Sequence, residues 1–171
     1  MAVLSTPPRI PAMSHSLRPA AISDVALALE FIRARADDEH LTHEVEATEA
    51  RLEATPFPIQ GRPAANCALA FVDSTPAGFA IIFTNDFTFL AKPGLYLEAL
   101  FVAPGWRGQG ISKALLLHLA KLANTRGCGR MEWTVLDWNR PAIEFYAAIG
   151  VRRMHEWKIR RLTGAVLERF R

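Results

Sequence analysis

With 171 residues, half of them hydrophobic and 22% charged, the chain is long enough to bury a substantial core in one domain. Its net charge of +3 comes without the dense Lys/Arg stripe of a nucleic-acid binder, and no apolar run nears the roughly 20 residues that span a bilayer. Cys67 and Cys128 lie far apart and match no metal spacing, which argues against a disulfide scaffold and makes a reducing cytoplasm the expected compartment.

Residues 1–14 hold Pro7, Pro8 and Pro11 and no apolar core of signal-peptide length, so a disordered extension is expected there, with Met13 an alternative start. A single domain is expected over 15–171. It opens with a short strand at Ser16-Leu17-Arg18-Pro19. Ser23-Asp24 then enters a helix running to about Arg35, with Val25, Leu27, Ala28, Leu29 and Ile32 on its buried face. A polar stretch, 36–44, leads to a second, acidic helix over 45–54. Pro56, Pro58, Gly61 and Pro63 mark a loop.

Strands are expected at 65–72 and 78–84, joined by the turn Asp73-Ser74-Thr75-Pro76, and a third over 95–102 stopped by Pro104-Gly105. A helix follows from about Gly110 to Arg126, with Ile111, Leu115, Leu119 and Leu122 on one face. Gly127 and Gly129 end it, and 130–136 is another strand. Asn139 caps a last helix that Gly150 closes. One or two final strands are expected over 151–161, where Arg152, Arg153, Lys158, Arg160 and Arg161 alternate with Val151, Trp157, Ile159 and Leu162. The pattern is mixed α+β: a largely antiparallel early sheet, then a strand–helix–strand–helix–strand half.

The most informative stretch runs from Leu100 through Pro104-Gly105-Trp106-Arg107-Gly108-Gln109-Gly110-Ile111-Ser112-Lys113. A strand ends, a glycine turn follows and a helix begins at once, an arrangement whose free N–H groups and partial positive charge suit a phosphate. Gly105 to Gly110 has the spacing that opens a nucleotide-binding P-loop, and Ser112 fits its hydroxyl position. Ile111, however, stands where that motif requires Lys.

The alternative, Arg-x-x-Gly-x-Gly/Ala, fits Arg107 and Gly110, with Ser112 where Gly or Ala is usual. This segment resembles the coenzyme A pyrophosphate loop of the GNAT (Gcn5-related N-acetyltransferase) family. The resemblance covers nearly the whole domain. It is closest to the diamine (spermidine/spermine) branch and its thialysine-acetylating relatives, through Gly78-Phe79-Ala80, Leu95-Tyr96-Leu97-Glu98, Arg107 to Ile111, Trp138-Asn139-Arg140-Pro141 and Phe145-Tyr146. It implies the acyl-CoA N-acyltransferase fold, with a central, mostly antiparallel, splayed sheet flanked by helices. It also implies acetyl-CoA as cosubstrate, a small-molecule primary amine as acceptor, and a homodimer. Protein or peptide acetylation, or a non-catalytic acyl-CoA-binding module, stand as alternatives.

An alkylammonium with a pKa of about 10.4 must lose a proton before it attacks, and a departing thiolate of pKa roughly 8.5 gains from a nearby acid. The resemblance places that acid at Tyr146, which otherwise simply packs with Phe145. Glu98 interrupts an apolar run, where a carboxylate would be costly without a partner. The resemblance puts it beside the acetyl group as proton acceptor, while a structural salt bridge is the plainer reading. The same resemblance makes Phe101, Val102, Arg107, Gly108, Gln109, Gly110, Ile111, Ser112 and Asn139 cofactor contacts, although Asn139 reads first as a helix cap. It makes Glu39 and Asp137 contacts for a cationic amine, within an acidic loop that is otherwise a solvated charge cluster. His40 and His43 lack metal-site spacing, and no metal is expected.

Overall fold

A computed structural model describes residues 15–54, 65–87 and 89–170. The N-terminal extension and the loop marked by Pro56, Pro58, Gly61 and Pro63 lie outside the described residues. The chain divides after Thr134 into two compact units.

The first unit holds strands β1 (His15–Pro19), β2 (Asn66–Val72), β3 (Thr75–Phe87), β4 (Lys92–Val102) and β5 (Arg130–Trp133), with helices α1 (Val25–Asp38), α2 (Glu49–Ala54) and α3 (Ile111–Thr125). The strands form one sheet in the order β1-β2-β3-β4-β5. Pairing is antiparallel throughout except between β4 and β5, which are parallel. This is the mixed, mostly antiparallel sheet expected from the sequence.

Helix α1 covers one face. Val25, Ala28, Leu29 and Phe31 recur at helical spacing and pack with Leu69, Phe79, Ala99, Phe101 and Leu52. The Phe31 ring stacks on Phe79 at 5.5 Å, and Phe79 meets Phe101 edge-on at 6.4 Å. Helix α3 packs against β3 and β4 through Ile111, Leu115, Leu116, Leu119 and Ala123, none of which belongs to the α1 cluster.

Several boundaries differ from the sequence reading, each for a local reason. Asp73 and Ser74 both take positive φ (45° and 70°), so a tight turn of two residues suffices and β3 begins at Thr75 rather than Gly78. Residues 42–44 form a single 3-10 turn and Val45 is extended, which shortens the second helix to α2. Strand β5 stops at Trp133 instead of 136.

The second unit contains α4 (Arg140–Ala148) and α5 (Gly164–Glu168). Asn139 caps α4, its Oδ1 accepting from the Ala142 N–H at 3.3 Å. Gly150, at φ 86°, closes it: its N–H donates to Ala147 O and that of Val151 to Tyr146 O, the double bond of a Schellman turn. The strands expected over 151–161 are absent; those residues are irregular. Alternating polarity permits a strand, but a strand also needs a neighbour for its N–H and C=O groups. Among the described residues no such ladder forms there.

Candidate active site

Strand β4 carries the first element of the site, a bulge. Ile81 pairs with Ala99 and Ile82 with Leu97, so Glu98 stands opposite no residue of β3. An extra residue on one strand bends it and re-aims its side chains. The consequence is visible in the packing. Leu95, Leu97, Ala99 and Phe101 are all buried. Yet Ala99 shares a face with Ile81, against α1, whereas Leu97 shares the opposite face with Ile82. Between them Glu98 is turned out to solvent. The burial cost anticipated for this carboxylate therefore does not arise. Among the described residues it forms none of the ion pairs.

Beyond the bulge the sheet opens. Strand β5 pairs with β4 only from Gly94 to Leu97, so the stretch from Glu98 to Val102 runs on without it. Backbone groups along such a splayed edge can pair with an extended ligand. Phe101 and Val102 lie there with buried side chains, which fixes their backbone. Opposite them Gly78 is essential to the fit. A Cβ at Gly78 would stand 2.5 Å from Phe101 O and 3.2 Å from Val102 Cα.

Strand β4 then runs into the glycine turn. Gly108 and Gly110 have φ of 75° and 82°, the left-handed region that a side chain resists. A Cβ would meet nothing within 4 Å at Gly105, Gly108 or Gly110, so the ground above the turn is open. The first bond inside α3 runs from Ala114 N–H to Gly110 O at 2.9 Å. The N–H groups of Ile111, Ser112 and Lys113 are thus left over by helix geometry, on a helix of about four turns whose dipole favours an anion. Gln109 is exposed and reaches Gly105 O through Nε2 at 3.3 Å. Ile111 is buried, anchoring the turn to the core. This cradle fits a pyrophosphate.

Arg107 is held rather than loose. Its Nε donates to Val102 O at 2.9 Å, its guanidinium lies 5.6 Å over the Phe101 ring, and its NH2 group pairs with the carboxylate of Asp38. Asp38 ends α1, and Glu39 follows it, its Oε1 accepting from Arg35 Nε at 3.1 Å. The candidate amine contact Glu39 is therefore already salt-bridged within its own helix turn. The pairing of Asp38 with Arg107 was not anticipated: the two are 69 residues apart, and only an acidic run flagged the region.

Cys67 sits in the α1 cluster, where desolvation pushes its thiol up to about 12; it is no nucleophile near neutral pH. No group of His, Cys, Asp and Glu among the described residues could hold a metal.

The second unit carries Asp137, Asn139 and Tyr146. Asp137 is exposed, and Asn139 spends its side-chain oxygen on the cap of α4. Tyr146 is half-buried on α4, its ring 5.4 Å from that of Phe145.

The family model described as the acetyltransferase (GNAT) family matches residues 29–151. An L-ornithine N5-acetyltransferase from Arabidopsis thaliana is 45% identical over 96 residues, covering 56% of this chain and 42% of that protein. A thialysine N-epsilon-acetyltransferase from Bos taurus is 30% identical over 162 residues, covering 88% and 94%. Among solved structures, an integron cassette protein from Vibrio cholerae superposes with a TM-score of 0.74 at 24% identity, covering 92% and 98%, a likeness of fold.

Proposed function

The chain belongs to the GNAT acetyltransferase family, and from that premise we propose that it transfers acetyl from acetyl-CoA to a primary amine of a small molecule by direct attack. One observation carries the reading. A carboxylate on a β4 bulge stands where the sheet splays, and the same strand delivers a glycine turn that can hold a pyrophosphate.

Residues of the turn, from Arg107 to Ser112, would bind the pyrophosphate through backbone N–H groups and the α3 dipole. Backbone groups of Phe101 and Val102 would align the pantetheine arm, and an N–H of the splayed strand would polarise the thioester carbonyl. Glu98, unpaired and exposed, would accept the ammonium proton directly or through water, leaving a neutral amine to attack. Tyr146, a phenol protonated near neutral pH, would protonate the departing sulfur. This role of Tyr146 rests on the family resemblance. A homodimer is proposed from the family resemblance alone, and a cytoplasmic location from the cysteine usage.

For the acceptor we favour the terminal amine of a small diamino acid, with polyamines second. The support is the pair of relatives named for ornithine N5 and thialysine N-epsilon acetylation, together with the acidic end of α1. Asp37, Asp38 and Glu39 there would attract a cation, with Asp137 as a second acidic contact.

The test is acetyl-CoA turnover, followed by thiol release, across ornithine, lysine, thialysine, spermidine and short peptides. Strong turnover confined to diamino acids is the expected result. Preference for peptides would make this a protein acetylase. Silence across the panel, with coenzyme A still bound, would point to a non-catalytic acyl-CoA module.

A further inference from the structure

We propose that Asp38 is a positioning residue: it holds the Arg107 guanidinium and gives it up when coenzyme A binds at the glycine turn, loosening the end of α1. The inference rests on the reading that this turn receives the pyrophosphate of coenzyme A.

The geometry gives Arg107 a fixed side and a shared side. Its Nε bond to Val102 O and its contact with the Phe101 ring tie it to buried strand residues. Its NH2 group instead meets Asp38, on a different element and half exposed like Arg107 itself. A guanidinium has five N–H donors, so these contacts leave it able to take a further acceptor. A pyrophosphate in the turn and the Asp38 carboxylate would compete for one cation, and being of like charge they repel.

What Asp38 does reaches the acceptor side through the next few residues. Glu39 is held by Arg35. His40 then takes φ 58°, a left-handed conformation that a histidine adopts reluctantly, stabilised by His40 N–H to Asp37 O and Leu41 N–H to Ala36 O. A turn closed on a strained residue is poised to loosen when the neighbouring ion pair is withdrawn. Filling the coenzyme site would thereby free the acidic end of α1 for the amine.

The test uses the full chain and coenzyme A itself, with calorimetric affinity and amide hydrogen exchange over residues 36–41. Asp38→Asn, which removes the competing charge, is expected to bind coenzyme A about two- to fivefold tighter, the range of a half-exposed pair. In the wild type, coenzyme A should speed exchange over 36–41. In Asp38→Asn that exchange should be fast already and indifferent to coenzyme A. A plain structural staple predicts otherwise: a lowered Tm with coenzyme A affinity unchanged or weakened, which would overturn the proposal. Should Asp38→Asn be too unstable to handle, wild-type exchange decides, and unchanged or slower exchange on binding would sink it. If the wild type fails to bind coenzyme A, both this proposal and the function it rests on fall. Binding and turnover without an effect of Asp38→Asn removes the coupling alone.

Discussion

Tyr146 can be tested cleanly because its backbone and ring already have structural duties that phenylalanine would keep. Its carbonyl accepts the closing bond of α4 from Val151, and its ring packs beside Phe145. Tyr146→Phe removes one hydroxyl. If that hydroxyl protonates the leaving sulfur, kcat should fall at least about tenfold, roughly 1.4 kcal/mol of transition-state stabilisation, with coenzyme A affinity unchanged. Equal turnover would remove the residue from the mechanism. Glu98→Gln preserves size and the bulge while removing the carboxylate proposed to accept the proton. Its kcat/KM should drop near neutral pH and recover as pH rises, since more of the amine is then unprotonated without help. A pH–rate profile parallel to the wild type would leave Glu98 a bystander. The exposed setting of Glu98 makes this variant safe for folding, because no buried partner is orphaned.

At Gly78 strand β3 leaves no room for a side chain against β4, and the effect of one there belongs to the pair of elements. A methyl group 2.5 Å from Phe101 O and 3.3 Å from Val102 Cγ2 must push β4 outward, because backbone cannot yield as a flexible side chain can. Gly78→Ala is expected to destabilise the fold by about 1–3 kcal/mol and to weaken coenzyme A binding, since the displaced segment is the one assigned to the pantetheine arm. A lower Tm with unaltered affinity would move that arm elsewhere. The same strands show what a sequence conceals. Glycine turn, helix and caps were legible because each depends on nearby residues: Gly110 before α3, Asn139 before α4, Gly150 after it. The bulge at Glu98 was not. Buried residues at 95, 97, 99 and 101 read as one regular face, although the register sends them to two. The irregular course of 151–161 was missed for a related reason, since alternation says nothing about whether a partner strand exists. The contact between Asp38 and Arg107 depends on how α1 settles over β4, and no local spacing carries it.

At the scale of the whole fold, Arg18 and Asp24 join the first strand to the first helix. The guanidinium donates from NH1 to Oδ2 at 2.7 Å and from NH2 to Oδ1 at 2.9 Å, while lying 4.8 Å over the Phe71 ring of β2. Asp24 also accepts from the Ala21 N–H at 2.7 Å, closing the 3-10 turn of residues 22–24 that leads into α1. The Arg18 hydrogen bond, reinforced by that N–H, holds the Asp24 carboxyl well below the usual carboxylate range, down to about 2. The sign of the linkage follows. A carboxylate with a depressed pKa in the folded state stabilises fully above its unfolded value, and the contribution disappears as pH falls through the folded one. The window is therefore about pH 4 down to about pH 2. Allowing for solvent screening of the half-exposed arginine, the contribution is on the order of 1 kcal/mol. Asp24→Asn should lower the urea midpoint at neutral pH and flatten its fall between about pH 4 and pH 2, converging on the wild type at the acid end. The chain has 17 Asp and Glu residues, so acid unfolding has many contributors, and the difference between wild type and Asp24→Asn isolates this one. Wild-type and variant curves that stay parallel down to pH 2 would mean that the link between β1 and α1 rests on burial instead, with Arg18 covering Phe71 and Asp24 contributing no charge-dependent stability.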